Sequence, residues 1–181
     1  MRLHEIAPVN SIPNLIYRWI DERGCLSYLR SNAMIGRVRH FIPRQLSGEF
    51  HSNFKTGLSF ALDDRSWLNV GTPICFVVRR NALGVPVVNI NGQAIYDLSG
   101  AEETRRTYSM DQATYQQYLK NAIEDSKTDP TEAFVIGNIR DLATKLERIH
   151  VRPDGDNVSP KGTNALRAYC QQYNIPLIGL D

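Results

Sequence analysis

One short run of apolar residues, at positions 74–78, constrains the fold more than any other feature of the sequence. The run directly follows Pro73 and contains no polar residue, so neither of its faces is suited to water. Successive side chains of a strand point to opposite faces, and a strand that is apolar throughout must be covered on both. The run is far shorter than the roughly 18–20 residues of a transmembrane helix. It therefore predicts a central strand of a sheet in a soluble protein.

Short strands and amphipathic helices alternate along the rest of the chain, without internal repeats. Asp21 can act as the N-cap of a helix that ends at Asn32, and Asp111 can cap a second helix that runs to about residue 125. The dipeptide Asn91-Gly92 favours a two-residue hairpin turn. We expect a last helix over residues 164–173, a helical turn at 142–146, and the other strands at 15–19, 58–62, 85–90, 93–98, 132–136, 148–152 and 175–180.

This order of elements predicts an α+β fold with a mixed or antiparallel, split sheet flanked by a few helices. A doubly wound fold is disfavoured, because the strands outnumber the helices and are irregularly ordered. The 181 residues amount to about one domain, so we expect a single domain over residues 1–181. Residues 37–56 show no sustained period, and a loop of that length is usually functional. Residues 153–162 are rich in Gly, Pro and Asp, which predicts a turn or linker.

Composition narrows the classes of partner and compartment. The formal net charge is only +2, so a nucleic-acid partner would have to be bound by a local basic patch rather than by bulk charge. The three cysteines form no C-x-x-C pair, which favours a reducing compartment and buried, unreactive thiols. Residues 1–10 contain Arg2, His4 and Glu5 and no apolar run of signal-peptide length. The sequence therefore predicts a cytoplasmic protein.

Most motifs that report a specific chemistry are absent from the sequence. It contains no G-x-x-x-x-G-K-[ST] phosphate loop and no G-x-G-x-x-G after a strand. The four histidines are scattered and have no metal-ligand spacing, so no metal is expected. Residues 57–61 begin like the G-x-S-x-G motif, with Gly57 and Ser59, but residue 61 is Ala, which argues against a hydrolase nucleophile elbow. The spacing of these residue types alone indicates no more than an α+β domain.

Three segments, taken in order, carry more information: Tyr17-Arg18-Trp19 on the first strand, Gly57-Leu58-Ser59-Phe60 on a second, and Glu132-Ala133-Phe134-Val135 opening a later one. This order resembles the ADP-ribosyltransferase-like superfamily. It is most similar to small bacterial and phage proteins of that fold, and more distantly to the DarT-type DNA ADP-ribosyltransferases. The resemblance covers about residues 14–152, and residues 160–181 form a helix and strand beyond it.

The resemblance implies an enzyme that uses NAD as a substrate and needs no metal. Glu132 would stabilise the oxocarbenium-like transition state in which the nicotinamide–ribose bond breaks. Arg18 would bind the diphosphate or a ribose, and Ser59 would support it. Tyr17 and Phe60 are the candidate rings for stacking on nicotinamide, with Trp19 as a third. The loop at 37–56 would close over NAD, and its Arg44 is the candidate for a second catalytic residue that acts with the glutamate.

The sequence also departs from the family pattern. Many mono-ADP-ribosyltransferases have a Glu or Gln two residues before the catalytic glutamate, where this chain has Pro130. That difference disfavours modification of protein arginine and leaves DNA, another macromolecule or a small molecule as the acceptor. The middle segment reads Leu-Ser-Phe rather than Ser-Thr-Ser, which weakens the assignment of Ser59.

Structural explanations compete with each of these assignments. Glu132 could be a solvated residue at the start of a strand, Arg18 a surface residue, and Ser59 a hydroxyl bonded to the backbone. The loop at 37–56, with its Arg and His residues, could simply be solvated. Three functions therefore stay open: an ADP-ribosyltransferase of a toxin or defence system, an RNA 2′-phosphotransferase that uses NAD, and a non-catalytic module that binds nucleic acid or protein.

Overall fold

A computed structural model describes residues 13–35, 58–62, 72–85, 87–89, 95–96, 111–113, 132–135, 137–152 and 158–180. The strands are β1 (Leu15–Ile20), β2 (Leu58–Ala61), β3 (Ile74–Arg79), β4 (Val87–Asn89), β5 (Ile95–Tyr96), β6 (Glu132–Val135), β7 (Leu146–Val151) and β8 (Leu177–Ile178). The helices are α1 (Glu22–Ser31) and α2 (Pro160–Tyr173), with two short 3-10 helices at Arg80–Ala82 and Leu142–Thr144. The loop at 37–56, the dipeptide Asn91-Gly92 and the helix expected beyond residue 113 lie outside the described residues.

The chain divides into two compact units, and each is built from separate stretches of sequence. The first unit comprises Met1–Ile12, Ile35–Ser59 and Gly84–Asn138, and the second comprises Pro13–Met34, Phe60–Leu83 and Ile139–Asp181. The boundary falls inside β2, so Ser59 belongs to the first unit and Phe60 to the second. The expectation of a single domain over the whole chain stays a prediction.

A mixed sheet in the order β2-β1-β3-β7-β8 forms the centre of the second unit. Neighbouring strands run antiparallel except β7 and β8, which are parallel. The apolar run at 74–78 occupies the middle strand, β3, and each of its five residues has 0% of its surface exposed. The prediction of a central strand covered on both faces is confirmed, as is the α+β class with a mixed sheet.

The caps of α1 agree with the sequence, whereas α2 begins earlier than expected. Asp21 Oδ1 accepts a hydrogen bond from the backbone N–H of Gly24 at 2.7 Å, and Asn32 ends α1 in the left-handed conformation, with φ of 47°. The linker predicted at 153–162 is wrong for residues 160–162, which are already helical. Ser159 caps α2, and Pro160 fits its first position because that position needs no N–H donor.

The C-terminal residues are integral to the second unit. Helix α2 packs against α1, and β8 pairs with β7 at the registers Ile149↔Leu177 and His150↔Ile178. Strand β7 begins at Leu146, two residues before its predicted start, and Leu146 pairs with Val78 after a shift in register. The helical turn expected at 142–146 is accordingly a shorter 3-10 helix. No helix among the described residues is long and apolar enough to cross a membrane.

The described part of the first unit contains three antiparallel strands in the order β5-β4-β6. The pairing of β4 with β5 is confirmed, with Val88 opposite Tyr96 and Asn89 opposite Ile95. The two-residue turn expected at Asn91-Gly92 falls outside the described residues and stays a prediction.

Candidate functional site

Arg18 lies on β1, between β2 and β3 of the second unit's sheet, and is directly opposite Phe76 of β3. Its side chain is half-buried, which is unusual for an arginine unless the guanidinium has partners. Arg18 Nε donates a hydrogen bond of 2.9 Å to the hydroxyl of Tyr28. Arg18 Cζ also lies 5.9 Å from the ring centre of Tyr28 and 6.0 Å from that of Phe60, within the range of cation–π attraction. These contacts orient the guanidinium.

Tyr28 reaches Arg18 because α1 begins immediately after β1 and packs on the sheet. Cys25 and Tyr28 are three residues apart and so share one face of the helix, and Cys25 is buried. The Tyr28 ring meets Phe76 edge-on, with ring centres 5.8 Å apart and an interplanar angle of 86°. Sequence reasoning missed Tyr28. The signal that could have found it is its position on the face of α1 that Cys25 marks as buried.

Phe60 is only 1% exposed, and its ring supports Arg18. A ring so covered contacts the guanidinium, and stacking on nicotinamide would require part of its face to become accessible. Ser59 is half-buried, and side chains alternate along a strand, so it points to the opposite face of β2 from Phe60. The structure therefore joins Phe60 to Arg18 and directs Ser59 to the other face of its own strand.

Tyr17 and Trp19 project from the face of β1 opposite Arg18. Trp19 packs edge-on against His150 of β7, with ring centres 5.0 Å apart, and Arg152 Cζ lies 5.8 Å from the centre of a Trp19 ring. Trp19 Nε1 is buried without a hydrogen-bond partner in the described part of the chain. The sequence proposed Tyr17 and Arg18 for the same cofactor, but alternation places their side chains on different faces of the sheet.

Glu132 is the first residue of β6, in the first unit, so the predicted position of a glutamate opening a strand is matched. Its side chain lies outside the description, as do Arg44 and the rest of the loop at 37–56. That Glu132, Ser59 and Arg18 line one cleft stays a prediction.

The cysteines are candidates for packing rather than chemistry. Cys25, Cys75 and Cys170 are all free and buried, which confirms that part of the prediction. Burial raises the pKa of the Cys25 thiol to about 12 and that of Cys170 to about 11, so both are neutral thiols near pH 7. Within the ranges that the structure describes, no three His, Cys, Asp or Glu side chains converge as metal ligands would.

The described residues thus define an α+β protein in which the half-buried Arg18, on the interior strand β1, contacts the rings of Tyr28 and Phe60. No protein-family model matches the chain, and no curated protein matches it. Among solved structures, it is similar to Thermus sp. 2.9 DarT in complex with carba-NAD+, with 14% sequence identity and a TM-score of 0.45. The match covers 95% of this chain and 96% of that chain.

Proposed function

We propose that this protein is an ADP-ribosyltransferase that cleaves the nicotinamide–ribose bond of NAD and transfers ADP-ribose to a macromolecule. The observation that carries the proposal is the environment of Arg18. A guanidinium half-buried on a central strand and bound by Tyr28 is prepared for an anionic ligand, whereas a surface arginine would extend into water.

The chemistry assigns a role to each proposed residue. Arg18 binds the diphosphate of NAD, because a guanidinium donates two parallel hydrogen bonds to phosphate oxygens. Glu132 stabilises the positive charge that develops on the ribose as nicotinamide leaves. Ser59 supports the glutamate or the ribose, and Arg44 acts with Glu132. Phe60, whose ring contacts Arg18, is the ring candidate beside the dinucleotide, whereas Tyr17 faces the other side of the sheet. NAD supplies the reactive sugar, so these roles need no metal.

The acceptor is the finer part of the proposal. Pro130 occupies the position where arginine-modifying relatives have a Glu or Gln, so we propose a nucleic-acid acceptor, with DNA as the first candidate. A cytoplasmic toxin or defence protein would fit such a modification. Parallel reactions with DNA, RNA and lysate protein, each with NAD labelled in its ADP-ribose part, would identify the acceptor.

The experiment that tests the activity measures nicotinamide release and label transfer by the purified protein. We expect Glu132→Gln to lower kcat by roughly 10²–10³, the usual effect of removing one preorganised electrostatic contact in a transition state. Arg18→Lys keeps the positive charge but loses the bidentate hydrogen bonding of the guanidinium, so KM for NAD should rise. Arg140→Lys is the matched control, because Arg140 is exposed in the same unit as Arg18. Wild-type-like rates in Glu132→Gln would refute the catalytic role.

Two other functions would give different results in the same assay. Consumption of an RNA 2′-phosphate only when NAD is present would indicate an RNA 2′-phosphotransferase. A non-catalytic module would release no nicotinamide and show no stabilisation by NAD. A ligand at about 100 times its Kd should add about 2.7 kcal/mol to the free energy of unfolding, which a thermal shift would detect.

A further inference from the structure

The Tyr28 hydroxyl has an unused donor beside Arg18. An arginine Nε can only donate, so in the 2.9 Å contact Tyr28 Oη accepts and its own O–H proton points elsewhere. No second hydrogen-bond partner of Tyr28 is present in the described part of the chain. The hydroxyl is thus held by Arg18 through its oxygen, while its proton remains available to an acceptor.

We propose that Tyr28 and Arg18 form a pair of donors that binds phosphate oxygens of the NAD diphosphate. A phosphate oxygen accepts hydrogen bonds from several donors, and a neighbouring positive charge makes each bond stronger. The identity of the ligand rests on the proposed function, but the donor pair is a property of this site.

The packing of the Tyr28 ring fixes the position of its hydroxyl oxygen. The ring is packed edge-on against Phe76, whose side chain is fully buried on β3. Tyr28 and Arg18 are both half-buried, so each retains some exposed surface while the screening by water is reduced. A donor already oriented before the ligand arrives loses little freedom on binding, and this favours affinity.

Tyr28→Phe removes the hydroxyl and keeps the ring, so it isolates the proposed contact. The affinity of the full chain would be measured by calorimetry for ADP-ribose, which contains the diphosphate, and for nicotinamide riboside, which lacks it. We expect the variant to bind ADP-ribose roughly tenfold to a hundredfold more weakly, the range for a hydrogen bond to a charged group. Binding of nicotinamide riboside should change less than about twofold, because no phosphate contact is lost.

Tyr173→Phe is the matched control, because Tyr173 is a 40% exposed tyrosine on α2 of the same unit. It should leave both affinities unchanged. A thermal melt of each variant checks that the fold is retained. Arg18→Lys combined with Tyr28→Phe should cost less than the sum of the two single changes, because the two side chains are in contact.

Several results would overturn the inference: unchanged ADP-ribose affinity in Tyr28→Phe, an equal loss for both ligands, or a wild-type protein that does not bind ADP-ribose. The experiments distinguish failure of the donor pair from failure of the proposed function. Binding of ADP-ribose that depends on Tyr28, with no nicotinamide release, would sustain the donor pair and refute the transferase. Where the enzyme is active, loss of this ground-state contact should raise KM for NAD and leave kcat nearly unchanged.

Discussion

Replacement of Asn32 tests how the second unit is stabilised. Asn32 ends α1 with φ of 47°, a left-handed conformation that few residues other than Gly and Asn adopt easily. Its Oδ1 accepts hydrogen bonds from the backbone N–H of Ala143 at 2.9 Å and from the Tyr169 hydroxyl at 2.6 Å. One side chain thus connects the end of α1 to the 3-10 helix that contains Ala143, 111 residues further along the chain, and to Tyr169 of α2, 137 residues further along.

The size of the effect follows from those contacts. Asn32→Gly removes both side-chain hydrogen bonds at about 1 kcal/mol each and permits the backbone conformation, for a loss of about 2 kcal/mol in the free energy of unfolding. Asn32→Ala loses the same bonds and adds about 1 kcal/mol for the left-handed backbone, for a total of about 3 kcal/mol. Ala should therefore be the worse replacement by about 1 kcal/mol.

Urea unfolding of the full chain, with the slope checked against wild type, measures these differences. Asn174 provides the control, because it ends α2 with φ of 54° and no side-chain hydrogen bond of Asn174 is present in the described part of the chain. Asn174→Ala should cost only about 1 kcal/mol and Asn174→Gly close to nothing. If Asn32→Gly proved as harmless as Asn174→Gly, the hydrogen bonds would contribute no net stability and the reasoning would be refuted.

Three further predictions concern the same unit. Hydrogen bonds from Ser159 lower the pKa of Glu22 below its ordinary value of 4.5. The Glu22 carboxylate therefore stabilises the fold fully above pH 4.5, and this stabilisation is lost as the pH falls through the lower pKa of the folded state. Acid titration of stability should show this loss in wild type and less of it in Glu22→Gln. Gly179→Ala should lower the free energy of unfolding by about 3 kcal/mol in urea titrations, because a Cβ there would lie 2.0 Å from a backbone oxygen of β7 and φ is 88°. Cys25 and Cys170 should resist alkylation at pH 8 until urea unfolds the protein, as mass spectrometry can show, because their raised pKa values keep the thiols neutral.

Control variants distinguish these mechanisms from nonspecific destabilisation of the fold. Glu147→Gln breaks an exposed ion pair of 3.2 Å with Arg79 and should change stability by less than about 1 kcal/mol. Gly84→Ala also places alanine at a positive φ, 65°, but meets no atom within 4 Å and should cost only about 1 kcal/mol. Equal losses for Gly84→Ala and Gly179→Ala would contradict the steric argument, and rapid alkylation of the folded protein would contradict the burial of the thiols.

Local sequence rules predicted the elements whose determinants are local. The apolar run at 74–78 became β3, and the caps Asp21 and Asn32 bounded α1 as expected. The start of α2 was missed because the turn-like composition of residues 153–162 outweighed the cap Ser159 and the proline that follows it.

The site was predicted only in part, because side-chain direction depends on packing between distant segments. The family resemblance singled out Arg18, whose role stays a prediction, but Tyr28 lies on α1, and only the packing of that helix on Phe76 brings the two side chains together. Alternation along β1 could have shown from the sequence that Tyr17 and Arg18 face opposite sides. The roles of Glu132, Ser59 and Arg44 stay predictions, because they depend on how segments far apart in the chain meet.

The discontinuous second unit has a consequence for synthesis on the ribosome. Strands β1 and β3 are complete once residue 79 has emerged, but β7, which pairs with the other edge of β3, is complete only after residue 151. Until then, we expect the nascent chain to expose an apolar strand with an open edge, the kind of surface that pairs with other chains. A chaperone that shields this edge during translation should therefore raise the yield of soluble protein.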